Sequence, residues 1–179
     1  MKVVLLPGFN GAAEQPILVR LSARLEARGA SCLRLAPPRL KLDAALSLYV
    51  AWLQEALRPL TGPLVLVGRS FGGRVALRVA ESPRVRALVL LGFPLRPPGR
   101  SRPLDEQALL AVRCPTLVVQ GTRDPLGPLE AFAPALAANP LLEVQRVEGA
   151  AHAFGRQEAA ALDAVAGWLG DTVGLPGAR

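Results

Sequence analysis

The stretch Gly68-Arg69-Ser70-Phe71-Gly72-Gly73 follows a short apolar run and precedes a segment with the pattern of a helix. Its G-x-S-x-G spacing is typical of a sharp turn from a strand into a helix, in which the serine has a strained backbone. Side chains two positions before and two after the serine would collide with neighbouring backbone, so both positions need glycine. The turn would expose the Ser70 hydroxyl at a helix N-terminus, where free N–H groups favour developing negative charge. We therefore predict that Ser70 is a nucleophile; the alternative is a glycine-rich turn with an incidental serine.

On both sides of this turn, short apolar runs alternate with longer amphipathic segments, which indicates a parallel sheet covered by helices on both faces. Six strands are predicted, at Lys2 to Pro7, Ser31 to Ala36, Leu64 to Gly68, Val85 to Leu91, Pro115 to Gly121 and Leu142 to Val147. Because crossovers between parallel strands are right-handed, the pattern predicts a doubly wound, three-layer α/β fold. A single domain over residues 1–179 is expected.

Composition narrows the class of protein. Of the 179 residues, 51% are hydrophobic and 20% are charged, which is typical of a globular chain. No apolar run reaches the roughly 20 residues that cross a bilayer. The start, MKVVLLPGFNG, predicts a buried strand rather than a signal peptide, so a cytoplasmic location is expected. Cys32 and Cys114 are predicted to be buried free thiols.

The net charge of +7 comes almost entirely from arginine. A basic chain can bind nucleic acid, but here the arginines are scattered and aromatic residues make up only 4%. Neither nucleic acid nor a membrane is therefore expected as a partner. The chain lacks a GxxxxGK[ST] motif, and Gly8 to Gly11 does not follow GxGxxG, which disfavours a nucleotide-binding module. No metal or cofactor motif is visible, and none is predicted.

A serine hydroxyl needs a base, and His152 is the only histidine of the chain. It lies in a loop of small residues between the last predicted strand and the last helix, at the same sheet edge as Ser70. A carboxylate should orient the base, and Asp124 follows the fifth predicted strand. Glu148 is the alternative acid, and Asp124 could instead only start a turn before Pro125.

The remaining site predictions concern the loops at this edge. An oxyanion hole would use the N–H of Phe71 and a second N–H from the loop after the first strand, with Phe9 the first choice and Asn10 the second. Arg69 and Asn10 are predicted to bind substrate. Five arginines near the edge could attract a carboxylate or phosphate, or could simply be solvated surface charge: Arg69, Arg96, Arg100, Arg102 and Arg123.

Four stretches of the chain resemble the small α/β-hydrolases related to dienelactone hydrolases, in the subgroup that includes testis-expressed hydrolase-like proteins. They are GRSFGGRVA from Gly68, LGFPLRPPG from Leu91, PTLVVQGTRDPLG from Pro115 and EGAAHAF from Glu148. The resemblance implies the α/β-hydrolase fold and the roles of nucleophile, acid and base for Ser70, Asp124 and His152. The chain departs from the pattern at Pro7-Gly8, where relatives often carry His-Gly. Dienelactone hydrolases proper use a cysteine nucleophile, so Ser70 argues against that activity.

Together these observations predict a serine hydrolase that cleaves small carboxylic esters or thioesters through an acyl-enzyme intermediate. The interval from Gly92 to Cys114, with one short helix near Gln107 to Val112, is too short for a sizeable lid, so an open, shallow site is expected. Some relatives are parts of larger assemblies without established catalysis. The alternative function is therefore a non-catalytic interaction protein on the same fold.

Overall fold

The computed structural model describes residues 1–38 and 46–174. The strands are β1 (Lys2–Leu6), β2 (Ser31–Arg34), β3 (Leu64–Arg69), β4 (Val85–Leu91), β5 (Thr116–Gly121) and β6 (Leu142–Val147). The α-helices are α1 (Pro16–Glu26), α2 (Leu46–Leu57), α3 (Phe71–Val79), α4 (Pro103–Ala111), α5 (Ala133–Ala138) and α6 (Glu158–Val173).

All six strands form one sheet in the order β2-β1-β3-β4-β5-β6, and every neighbouring pair is parallel. The chain moves outward from β1 to β2 and then in the opposite direction from β3 to β6. The order therefore reverses between β1 and β3, and loops after such strands form the ligand crevice in open α/β sheets. The turns after β1 and β3 are those that carry Phe9 and Ser70.

Two hydrophobic cores lie on opposite faces of the sheet. Side chains alternate along each strand, so Val3 and Leu5 of β1 pack into the core with α1 and α6. Val4 and Leu6 point the other way and pack into the core with α2, α3, α4 and α5. The result is the predicted three-layer α/β architecture with a doubly wound sheet.

Most predicted elements are present, and their boundaries differ from the predicted ones at several ends. The second strand ends at Arg34 rather than Ala36, and its side chains are exposed or half-buried because it is the sheet edge. The single helix predicted from Pro128 to Ala138 is a 3-10 turn, Leu129–Phe132, followed by α5. Pro134 explains the break, because it has no N–H for a helical hydrogen bond back to the earlier turn.

The interval between β4 and β5 contains α4, which starts at Pro103 rather than near Gln107. Proline suits a first helical position, and Asp105 and Glu106 follow in the first turn. Within the described ranges, no separate helical layer covers Ser70, as the sequence predicted. None of the helices described is both long enough and apolar enough to span a membrane.

Candidate active site

The turn at Ser70 has the strained geometry that its glycines predict. Ser70 has φ 50° and ψ −114°, and its N–H donates to the Leu91 carbonyl across 2.9 Å. A methyl group on Gly68 would lie 2.4 Å from the backbone of Gly73, and one on Gly72 would lie 2.4 Å from the Pro7 carbonyl oxygen. Any larger side chain would force the strand and the helix apart, so the glycines fix how the serine is presented.

The structure brings together Ser70, His152 and Asp124, which lie after three different strands. His152 Nε2 is 2.9 Å from Ser70 Oγ, and His152 Nδ1 is 2.8 Å from Asp124 Oδ2. An ionised carboxylate only accepts hydrogen bonds, so a proton on Nδ1 leaves Nε2 as an acceptor, within reach of both Ser70 Oγ and Arg69 Nη1. Asp124 is 3% exposed. A buried carboxylate in this position can stabilise an imidazolium ion.

Asp124 is held by further donors. Its Oδ1 accepts from the Leu126 N–H across 2.9 Å, and its Oδ2 accepts from Gln120 Nε2 across 2.8 Å. The Arg123 N–H donates to the Ala150 carbonyl and thereby joins the loop after β5 to the histidine loop. The alternative acid, Glu148, is exposed and contacts the hydroxyl of Thr122 rather than His152.

Gln120 is a site residue that sequence reasoning missed. It is fully buried, accepts from the Phe93 N–H across 2.8 Å, and donates to the Gly127 carbonyl across 2.9 Å as well as to Asp124. One side chain therefore connects the ends of β4 and β5 to the acid. The signal was available, because a glutamine at the end of the otherwise apolar strand TLVVQG is unusual for a buried position.

Arg69 is placed differently from the prediction of a substrate-binding residue. It is only 6% exposed, and its Nη2 donates to the His152 carbonyl across 2.6 Å. Its Nη1 lies 3.3 Å from both the Leu91 carbonyl oxygen and His152 Nε2, and the guanidinium lies 5.7 Å from the centre of the Phe154 ring. Burial lowers the pKa of Arg69, although arginine stays protonated in proteins. The side chain therefore supports the histidine loop and does not face solvent.

The backbone N–H groups of Phe9 and Phe71, the predicted oxyanion-hole donors, lie in the two turns next to Ser70. Gly8 lies against Ser70, since a methyl group on Gly8 would be 3.6 Å from Ser70 Cβ, and Phe9 follows it in the loop. Among the described residues, the N–H groups of Phe9 and Phe71 donate to no protein acceptor. The two aromatic rings meet edge to face, with centres 5.6 Å apart, which keeps the two loops adjacent.

Asn10 is exposed and has a left-handed backbone, with φ 54°. It lines a second pocket of about 150 Å³ rather than the cleft that contains Ser70. That Asn10 binds substrate stays a prediction.

A cleft of about 650 Å³ lies over Ser70. Its apolar walls come mainly from Phe9, Phe71, Leu126, Pro94, Pro97 and Pro98. This volume lies within the range of small-molecule pockets, about 300–1,000 Å³.

Among the five arginines predicted at this edge, Arg100 and Arg102 line the cleft. Arg69 is buried beside His152. Arg96 is exposed and pairs with Glu106, and Arg123 is exposed outside the cleft lining. A sixth arginine, Arg74, was not predicted and does line the cleft.

The arrangement of Ser70, His152 and Asp124 is suited to nucleophilic attack by a hydroxyl with the help of a base. A hydroxyl beside an acceptor nitrogen can lose its proton as it attacks, and the nitrogen can return that proton to a leaving group. Within residues 1–38 and 46–174, no three His, Cys, Asp or Glu side chains come together as a candidate metal site.

Comparisons with known proteins agree with this architecture. Residues 17–167 match the family model described as an alpha/beta hydrolase domain. Est1E from Butyrivibrio proteoclasticus, solved with ferulic acid bound, is 17% identical with a TM-score of 0.82, over 96% of this chain and 89% of that one.

Two further solved structures have the same fold. A monoacylglycerol lipase from Paleococcus ferrophilus is 15% identical with a TM-score of 0.80, over 96% of this chain and 94% of that one. A dienelactone hydrolase from Anabaena variabilis is 22% identical with a TM-score of 0.73, over 96% and 86%. The TM-scores of these three structures show a shared fold, and the family model covers most of the chain. The protein therefore belongs to the alpha/beta hydrolase domain family.

Proposed function

We propose that the protein is a serine hydrolase that cleaves small carboxylic esters or thioesters through an acyl-enzyme intermediate. The observation that carries the proposal is the position of one imidazole between two partners. His152 lies within hydrogen-bonding distance of Ser70 Oγ on one side, at 2.9 Å, and of Asp124 Oδ2 on the other, at 2.8 Å. These distances fall within the range expected for a nucleophile and its base.

In the first half of the reaction, Ser70 Oγ attacks the carbonyl carbon and its proton passes to His152 Nε2. The negative charge that develops on the carbonyl oxygen would be stabilised by the N–H groups of Phe71 and Phe9. As the carbon–oxygen or carbon–sulfur bond breaks, His152 returns the proton to the leaving alcohol or thiol. Ser70 is then acylated, and Asp124 has stabilised the transient imidazolium throughout.

In the second half, a water molecule takes the place of the leaving group. His152 accepts a proton from the water as its oxygen attacks the acyl carbon, and then donates that proton to Ser70 Oγ as the ester bond breaks. The free acid departs, and the hydroxyl and the imidazole return to their starting states. No electron transfer or cofactor is needed in either half.

The apolar cleft of about 650 Å³ supports a small acyl or alcohol group as the substrate. The closer relationship to the dienelactone hydrolase-related, testis-expressed subgroup is also part of this proposal, and the four sequence stretches that resemble it are its support.

The test compares wild type with Ser70→Ala on short-chain 4-nitrophenyl esters and with a fluorophosphonate probe. We expect turnover to fall by several powers of ten in the variant, on the order of 10⁴-fold or more, and probe labelling to disappear. Circular dichroism should show that both proteins fold alike. If wild type neither turns over the esters nor reacts with the probe, the non-catalytic interaction protein is favoured instead.

A further inference from the structure

Three arginine side chains line the cleft over Ser70, and they come from two separate elements. Arg74 lies on α3, while Arg100 and Arg102 lie on the segment that leads into α4. Arg74 follows Ser70 by four positions at the start of α3. Arg74 lies in the first turns of α3, and its side chain lines the same cleft as Ser70.

The carboxylate nearest to these arginines is already occupied. Asp105 is 1% exposed, and its Oδ2 accepts from Arg74 Nε across 2.6 Å while its Oδ1 accepts from Arg78 Nη2 across 2.7 Å. Arg102 Nη1 is 3.8 Å from Asp105 Oδ2, which is too long for a hydrogen bond. Among the described residues, Asp105 thus neutralises only part of the positive charge at this wall of the cleft.

Arg102 shows this imbalance most directly. Its Nη1 is buried and has no hydrogen-bond partner within the described part of the chain. Burial, followed by the charge of Arg74, lowers the pKa of Arg102, and Asp105 only partly opposes this. Arg74, Arg100 and Arg102 therefore bring more positive charge to the cleft than Asp105 balances among the described residues, and an anionic group in the cleft would offset it.

We propose that this arginine wall, formed by Arg74, Arg100 and Arg102, binds a carboxylate or phosphate group of the substrate. The inference rests on the proposed function, since it places the scissile ester or thioester at Ser70. It adds that the acyl or leaving portion is anionic at the end that extends toward the arginines. Guanidinium groups suit both anions because their paired N–H donors match two oxygens at once.

A matched pair of esters tests the proposal. 4-Nitrophenyl pentanoate and mono-4-nitrophenyl glutarate have acyl chains of equal length, and they differ in a terminal methyl or carboxylate group. We expect wild type to have a kcat/KM for the glutarate ester at least about tenfold above that for the pentanoate ester at low salt. Added salt should reduce this preference, because it screens charges exposed in the open cleft.

Arg102→Gln should lower the ratio of the two kcat/KM values by about tenfold, because it removes one of the guanidinium groups that line the cleft. Arg96→Gln is the matched control. Arg96 also lies between β4 and α4, its replacement removes the same charge, and it does not line the cleft. Its ratio should stay within about twofold of wild type. A wild-type ratio near one, unaffected by Arg102→Gln, overturns the proposal, while turnover of both esters would leave the serine hydrolase assignment standing.

Two measurements separate the remaining possibilities. Glutarate and glycerol phosphate, tested as competitive inhibitors of pentanoate hydrolysis, show whether the wall prefers a carboxylate or a phosphate. If neither ester is hydrolysed, calorimetric titration of the same two anions into wild type and Arg102→Gln still decides the matter. Binding that is weakened in the variant supports the anion site without the enzymatic reaction, and an absence of binding to wild type overturns it.

Discussion

Arg69 Nη2 donates a hydrogen bond of 2.6 Å to the main-chain carbonyl of His152 and so ties the histidine loop to the turn that carries Ser70. The same guanidinium lies 3.3 Å from the Leu91 carbonyl oxygen at the end of β4. Three loops that are distant in sequence are thereby joined by one planar cation. Its contacts are with protein atoms, so we assign it the role of a positioning residue.

Replacing Arg69 by methionine should therefore affect catalysis through the orientation of His152. We expect kcat for a neutral 4-nitrophenyl ester to fall on the order of tenfold to a hundredfold, with KM nearly unchanged, because small misplacements of a base are costly. Steady-state kinetics measure both constants. Arg69→Lys should recover part of kcat, since it restores the charge and one donor. Methionine kinetics equal to wild type, or a loss confined to KM, would count against this role.

Gln120→Leu should destabilise the fold as well as the site. Leucine would leave the Phe93 N–H and the Gly127 carbonyl buried without their partner, at a cost of about 1–3 kcal/mol each. Urea unfolding followed by circular dichroism measures the change. Gln145→Leu is the control, because Gln145 is exposed on β6, and a change within about 0.5 kcal/mol is expected there. Similar losses in the two variants would contradict the assigned role of Gln120.

Two glycine-to-alanine substitutions should change the free energy of unfolding in opposite directions. Gly68→Ala puts a methyl group 2.4 Å from the Gly73 backbone and should lower both stability and activity, because neither backbone can yield without moving β3 or α3. Gly167→Ala, in α6, meets nothing within 4 Å. It should raise the free energy of unfolding by about 0.5–1 kcal/mol through helix propensity. Thermal and urea denaturation of both variants test the pair, and a Gly68→Ala protein as stable and active as wild type would refute the steric argument.

Burial raises the pKa of the Cys32 thiol to about 11 from 9.0. Since only the thiolate is alkylated, Cys32 should react with iodoacetamide about a hundredfold more slowly in the native protein than in urea. Mass spectrometry resolves Cys32 from Cys114. Because the folded-state pKa lies above the unfolded one, the thiol's stabilising contribution is full below about pH 9 and declines as the pH rises toward about 11. Equal alkylation rates in the two states would rule out this raised pKa.

The fold could be predicted because two independent signals in the sequence indicate it. One is the series of apolar runs, and the other is the set of site residues that follow these runs. Continuous apolar strands and helical spacing located the elements of the sheet and its two layers. Ser70, Asp124 and His152 each follow a different strand, and parallel strands bring such residues to one edge. Helical spacing alone does not indicate the break in the helix after Pro128, because the break comes from the missing N–H of Pro134.

At the site, the differences from the sequence analysis concern the direction in which side chains point, and not where the residues lie along the chain. Arg69 was expected in solvent because a charged side chain is almost never buried, and its partners Leu91 and His152 are far away in sequence. Asn10 lines a neighbouring pocket, and its left-handed backbone is a property of the folded loop that the sequence pattern does not indicate. The sequence could have indicated Arg74, since it lies in the first turns of the helix that directly follows Ser70.

Pro94, Pro97 and Pro98 form one side of the cleft, and each proline ring fixes a backbone angle that other residues leave free. Such a wall loses little conformational entropy when a ligand binds, because folding has already fixed its shape. On this side of the cleft, substrates should therefore be selected by their fit to a preformed, rigid surface and not by a conformational change of the protein. Chain length and branching would be selected at entry, without the delay of a hinge closing.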